Sequence, residues 1–171
     1  MTEVSWWQAR TLAGEAMGSS SSEVVPLADA LGRTLASDAV ALTDLPGFPT
    51  AAMDGWVVCG PSPWTIVGTI DTGASSVVQL DAGEAMRIGT GGAVPAGATA
   101  VIPFEAATVT DSRVNADVTD RTHIRAQGEE CVAGDVLAHR GDVINPALMG
   151  SLSAAGIDDV AVVQRPLISV L

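Results

Sequence analysis

Residues 46–59 read Pro46-Gly47-Phe48-Pro49-Thr50-Ala51-Ala52-Met53-Asp54-Gly55-Trp56-Val57-Val58-Cys59. Turn-formers and small apolar residues come first, and a short apolar run follows. Pro and Gly end helices, while a brief run holding two valines suits a strand. The stretch therefore marks a change from helical spacing upstream to strands downstream. It also sets one ionisable group, Asp54, among apolar neighbours, where a carboxylate has to be solvated, paired or used.

Upstream, Ser5-Trp6-Trp7-Gln8 fits a capping box, with Trp6, Ala9, Ala13 and Ala16 or Met17 at helical spacing. Gly18, before the polar run Ser19 to Ser22, is the expected stop. Val24-Val25 opens a new element, and Leu27–Leu31 reads as a short helix closed at Gly32. Downstream, apolar runs recur between Gly, Pro, Asp and Ser: Trp56–Cys59, Trp64–Val67, Val77–Leu80, Ala100–Pro103, Val114–Val118 and Ile124. These read as strands of a small barrel or curled sheet. Gly60–Pro63 is a turn, and Val94–Gly97 fits a type I turn with Pro second and Gly fourth. Asn145-Pro146 signals a helix start, Leu148, Leu152 and Ala155 give its face, and Gly156 its end. Asp158–Val163 and Leu167–Leu171 then read as strands.

Helical segments thus flank a β-rich middle. The expected fold class is mostly β with a few helices (α+β). A small β-barrel-like domain, residues 48–125, is inserted into a discontinuous, elongated helix/strand domain, residues 1–47 plus 126–171. The terminal run Ile168-Ser169-Val170-Leu171 ends inside a candidate strand, whereas termini are usually polar and frayed, so a fragment of a longer protein is expected.

The chain has 171 residues, 47% of them hydrophobic and 16% charged, enough to bury a core. Its net charge is −12, from 20 acids against 8 arginines, and it has no lysine. Without a basic cluster, nucleic acid and anionic membranes are unsuitable partners. Without lysine there is no Schiff base and no Walker-type phosphate lysine. Cys59 and Cys131 lack metal-ligand spacing, His123 and His139 stand apart, and no apolar run approaches the ~20 residues of a membrane span. A cytoplasmic protein is expected.

Three places could carry chemistry. Asp54 is either a carboxylate that binds a metal or orients a substrate, or the Asp of an Asp-Gly turn. Gly89-Thr90-Gly91-Gly92 could present backbone amides and the Thr90 hydroxyl to an oxyanion, or could be a tight connection between strands. It is not a dinucleotide loop, since Val94 stands where a third Gly is needed. Gln127-Gly128-Glu129-Glu130 could hold a divalent cation or be a solvated acidic turn. Glu105, after Val101-Ile102-Pro103-Phe104, is a strand-end carboxylate or a supporting partner.

The order of these motifs resembles a known family. Gly32-Arg33 with Leu35-Ala36 comes first, then Pro46-Gly47-Phe48 and Ala52-Met53-Asp54-Gly55. Arg87-Ile88 with Thr90-Gly91, Val94-Pro95 and Gly97-Ala98 follows, then Ala100-Val101 with Glu105. Ile124-Arg125 with Gly128-Glu129, Gly134-Asp135, Gly141 and the Asn145-Pro146 helix with Gly156 complete the set. It resembles the N-terminal region of the MoeA family, the molybdopterin molybdenumtransferases, whose animal counterpart is the E domain of gephyrin. The resemblance covers about Val24 to Leu171.

The resemblance implies an enzyme that inserts molybdate into adenylylated molybdopterin and releases AMP, assisted by Mg2+ or another divalent cation. It implies a homodimer whose active site lies between the second domain of one subunit and the molybdopterin-binding domain of the partner subunit. Asp54, Thr90 and Glu130 would be the catalytic residues, and Gly89, Gly91, Gly92 and Glu129 would bind the substrate. Asp54 and Glu130 would hold the metal. The chain has Glu130 where the family usually has Asp and Trp56 where it usually has Tyr. The molybdopterin-binding domain and its Thr-Gly-Asp-Glu segment are absent, so the fragment by itself is expected to be inactive. The alternative is a non-catalytic scaffold or dimerisation module of a gephyrin-like protein.

Overall fold

A computed structural model describes residues 4–16, 21–71, 73, 79–117 and 120–166. Ser5 and Gln8 cap α1 (Trp6–Ala16) reciprocally: Ser5 N–H donates to Gln8 Oε1 at 2.9 Å, and Gln8 N–H to Ser5 Oγ at 3.3 Å. The expected stop at Gly18 lies outside the described residues. So do Val77 and Val78 of the expected strand 77–80, Val118, and the expected strand Leu167–Leu171.

The chain forms two compact units. The first comprises residues 1–42 and 134–171, the second residues 43–133. Residues 43–47 and 126–133 group with the second unit because they pair with each other. Leu45 N–H donates to Cys131 O at 2.8 Å, and Gly128 N–H to Pro46 O at 2.9 Å.

In the first unit, β1 (Ser22–Pro26) pairs antiparallel with the strand Asp159–Val163, and β2 (Ala39–Val40) pairs with the strand Val136–Ala138. Residues 27–31 form no α-helix, only a 3-10 turn over Leu27–Asp29. One turn suffices, because burying Leu27 and Ala30 seats it on the core while Leu31 stays exposed. The Asn145 side chain accepts from Leu148 N–H and caps the helix Pro146–Ala154. Leu35, Ile144, Leu152, Val160 and Val162 make the core of this unit.

In the second unit, β3 (Thr50–Ala51) pairs with the strand Ile124–Arg125. The main sheet holds β4 (Gly55–Val58), β5 (Trp64–Ile70), β6 (Glu84–Ile88), β7 (Ala100–Pro103), β8 (Thr108–Thr110) and β9 (Arg113–Asn115). The strand order is β7-β4-β6-β5-β9-β8. All neighbours are antiparallel except β5 and β6, which run parallel with a bulge between Ile66 and Gly68.

The fold class is mostly strands with two α-helices among the described residues, as the punctuation of short apolar runs requires. Both faces of the sheet are covered, so consecutive residues serve different cores. Val57 packs with Met86, Ile88 and Val101, and Val58 with Trp64, Ala85 and Ile102. Trp64 is fully buried and donates its indole N–H to Gly60 O at 2.9 Å, so its polar handle is satisfied.

The expected type I turn at Val94–Gly97 sits one residue later. Pro95 O accepts Ala98 N–H at 3.3 Å, and Gly97 takes φ +87° at the third position. That conformation belongs to a type II turn and favours glycine. It also lets the backbone lie against Leu80, whose carbonyl oxygen would be 2.3 Å from a Cβ at Gly97.

Candidate functional site

The site begins at the end of β4. Gly55 is paired to Ile88 on one side and Pro103 on the other. A Cβ at Gly55 would lie 2.1 Å from Ile102 O, so only glycine allows β4 and β7 this close. The Asp54 side chain is thereby fixed over the far end of β6, where the chain turns. The turn is Gly89–Gly92, closed by Gly92 N–H donating to Gly89 O at 2.9 Å. Gly91 takes φ +78° there, and a Cβ at Gly92 would strike Ile88.

The turn delivers Thr90 to Asp54. Thr90 N–H donates to Asp54 Oδ1 at 2.7 Å, and the Thr90 hydroxyl donates to the same oxygen at 2.8 Å. These two bonds, the amide first, hold the Asp54 carboxyl below its usual range, with the Arg87 charge as a lesser aid. Asp54 is exposed, and its Oδ2 accepts no bond from the described residues. The arrangement is a carboxylate clamped through one oxygen with the other left open.

Beside it lies a cavity of about 250 Å³ lined by Asp54, Thr69, Asp71, Arg87, Gly89 and Phe104 among others. Arg87 stands opposite Trp56 across β4 and β6, on one face of the sheet. Its guanidinium lies 5.3 Å from the centroid of the Phe104 ring, and Phe104 meets Trp56 edge to face at 5.6 Å. A second cavity of about 250 Å³, in the first unit, is lined by Leu35, Asp38, Val40 and Ile157 among others. There Asp38 Oδ1 accepts Arg140 N–H at 2.7 Å and Oδ2 lies 3.6 Å from His139 Nδ1, so neither oxygen is left open as at Asp54.

The structure thus brings Asp54, Thr90 and Gly89 together. The second acidic loop, residues 127–130, does not line the cavity. Glu129 and Glu130 are exposed and do not line the Asp54 cavity. Glu129 Oε2 accepts Ala126 N–H at 2.9 Å and closes its own turn. Glu130 is held through its backbone, whose N–H donates to Leu45 O at 2.9 Å. Glu105 sits exposed on a 3-10 turn (Phe104–Ala106).

Among the described residues, no group of three or more His, Cys, Asp or Glu is disposed to hold a metal ion. Asp54 and Asp71 are the two carboxylates among the described residues that line the cavity. Sequence reasoning missed Thr69, Asp71 and Phe104. Their signal was faint: an Asp just past an apolar strand, and a Phe where the next apolar run ends.

The family description "MoeA N-terminal region (domain I and II)" matches residues 4–156. The chain belongs to the MoeA family. It is 33% identical over 159 residues to molybdopterin molybdenumtransferase 2 of Mycobacterium tuberculosis, covering 86% of this chain and 39% of that protein. It is 30% identical to the molybdopterin molybdenumtransferase of Staphylococcus epidermidis, covering 86% of this chain and 38% of that one. A crystal structure of the molybdopterin biosynthesis MoeA protein of Pyrococcus horikosii matches with a TM-score of 0.79 at 26% identity, covering 96% of this chain and 45% of that one. The chain therefore spans about two fifths of the length of the curated MoeA relatives it matches.

Proposed function

We propose that this chain is the N-terminal part of a molybdopterin molybdenumtransferase, which inserts molybdate into adenylylated molybdopterin and releases AMP. The observation that carries the reading is the Asp54–Thr90 clamp at an open cavity in a chain of this family. Thr90 fixes the Asp54 carboxylate in one orientation and keeps it ionised. The open Oδ2 faces the reacting partners, and Glu130 offers a second exposed carboxylate from a separate loop.

The donor set suits a magnesium ion. Mg2+ is commonly held by one or two carboxylates, with waters and substrate phosphates completing its shell. Asp54 and Asp71 would supply those carboxylates, and the ion would neutralise charge on the substrate's oxygens.

A chain of net charge −12 repels an anionic pterin and a molybdate dianion. The basic wall of the site is therefore supplied by the molybdopterin-binding domain of the partner subunit, in a cytoplasmic homodimer. The isolated chain binds the pterin substrate weakly, and sub-micromolar affinity in calorimetry would refute this. The decisive experiment is Asp54→Ala in the full-length protein, with AMP release and molybdenum insertion measured. Unchanged insertion rejects the reading.

One observation favours the scaffold alternative. Trp6, Trp7 and Leu12 on α1 are 66%, 68% and 54% exposed, large apolar side chains spread around a helix that no described residue covers. Micromolar self-association in sedimentation, indifferent to ligand, would support that alternative.

A further inference from the structure

A glycine turn offers an anion its amides, and here three of the four are spent. Thr90 N–H goes to Asp54, Gly91 N–H to Ala51 O at 2.8 Å and Gly92 N–H to Gly89 O at 2.9 Å. The Thr90 hydroxyl proton also goes to Asp54. The turn builds the carboxylate clamp and keeps little for a ligand.

The charged donor at the cavity is Arg87. Its side chain is exposed and forms no hydrogen bond or ion pair with any described residue. A guanidinium carries five N–H donors in a planar fork. One face of the fork rests on Phe104, and Phe104 is itself steadied by Trp56 and by its N–H bonding Asp54 O at 3.4 Å. A ring beneath the plane limits the rotamers of the side chain and leaves its N–H edges free for a planar, bidentate contact. Arg33 shows the contrast. It is nearly buried and spends its donors on Glu23 and on Val163 O.

We infer that Arg87, seated on the Phe104 ring, receives the oxyanion end of the substrate at this cavity, while the glycine turn serves Asp54. The identity of that oxyanion rests on the function proposed above; the contact itself does not. Asp54 and Asp71 outweigh Arg87 in formal charge by one unit, so a bare oxyanion binds this chain weakly, no tighter than about millimolar.

The test titrates sodium molybdate, and separately sodium phosphate, into the chain in magnesium-free buffer at constant ionic strength. The arginine Nε–H and Trp56 indole resonances are followed by NMR, with R87K identifying the Arg87 signal. The expected result is a saturable shift at Arg87 and Trp56. R87Q should weaken binding about tenfold, the loss of a charge-assisted contact. F104L should weaken it about threefold, by removing the ring beneath the guanidinium. D71N should tighten it about twofold, because it removes a repelling charge.

Shifts shared equally by all arginines, an R87Q chain that binds like the wild type, or weaker binding by D71N would each overturn the inference. The two readings fail separately. If Asp54→Ala abolishes insertion while molybdate ignores Arg87, only this inference falls. If Arg87 titrates as expected while Asp54→Ala inserts normally, only the proposed function falls.

Discussion

Asp44 and Asp54 both lie in the second unit, and both have carboxyls held below the usual range chiefly by a backbone N–H: Ala133 for Asp44, Thr90 for Asp54. They differ in what is left over. Asp44 Oδ1 accepts Ala133 N–H at 2.9 Å and its Oδ2 accepts Gln127 Nε2 at 2.7 Å, so each oxygen has a protein partner. Those bonds tie residue 44 to the segment 127–133, where the chain leaves the second unit. Asp54 takes both its bonds on Oδ1 and keeps Oδ2 open. A depressed pKa alone therefore does not mark a site. Asp44 is a staple and Asp54 a held but available carboxylate, and the difference is the number of oxygens already satisfied.

The harshest way to break the comparison is to move the backbone beneath Asp54. Gly55→Ala forces a Cβ against Ile102 O, so β4 and β7 have to part. Urea unfolding should register a loss of about 3 kcal/mol or more, the upper range for overpacking. A near-neutral result would mean that β4 has room to shift.

The paired variants Asp54→Asn and Asp44→Asn come next, in the full-length protein. Asp54→Asn should lower molybdenum insertion on the order of a hundredfold, as loss of a preorganised charge does, with a melting temperature lowered less than in Asp44→Asn. Asp44→Asn should lower the melting temperature and leave turnover per folded molecule intact. Equal losses from both variants in both assays would erase the distinction between staple and site.

Thr90→Val sharpens the comparison more gently. Removing the hydroxyl leaves only the amide, so the Asp54 carboxyl should titrate closer to the ordinary value near 3.9, visible by carbon-13 NMR. The sign follows from linkage. A carboxyl with a lowered folded pKa stabilises the protein above its unfolded pKa, and that stability is lost as pH falls through the folded pKa. The part of the stability deficit of Thr90→Val that comes from Asp54 should therefore be full at neutral pH and vanish in acid. A deficit independent of pH would place the role of Thr90 in packing.

The smallest effect lies in the other unit. Asn145→Ala removes an N-cap and should cost about 1 kcal/mol in thermal unfolding. The titration of Asp54 should not notice it.

Both caps were legible because their donors and acceptors lie within one helical turn: Ser5 with Gln8, and Asn145 with Leu148. The strand β6 was not legible, although it lies in the middle of the main sheet. Glu84-Ala85-Met86-Arg87 carries residues that favour helices, and no period-2 alternation shows. Neighbours on both sides and a core on each face override that preference. Glu129 and Glu130 stood out because two acids follow a glycine, and only the structure shows that Glu129 also closes its own turn through one oxygen, on Ala126 N–H. Phe104 passed as the end of an apolar run, since its partners Trp56 and Arg87 come from other strands.

By itself the sequence determined the mostly-β class, both helix starts and the membership of the family, and it singled out Asp54 as a candidate. These depend on local propensities and on the order of motifs along the chain. Only the tertiary structure decided that Thr90 bonds Asp54, that Asp71 and Phe104 belong to the same cavity, and that Arg87 bonds none of the described residues. Such facts depend on which strands become neighbours, and long-range pairing leaves little trace in any short stretch of residues.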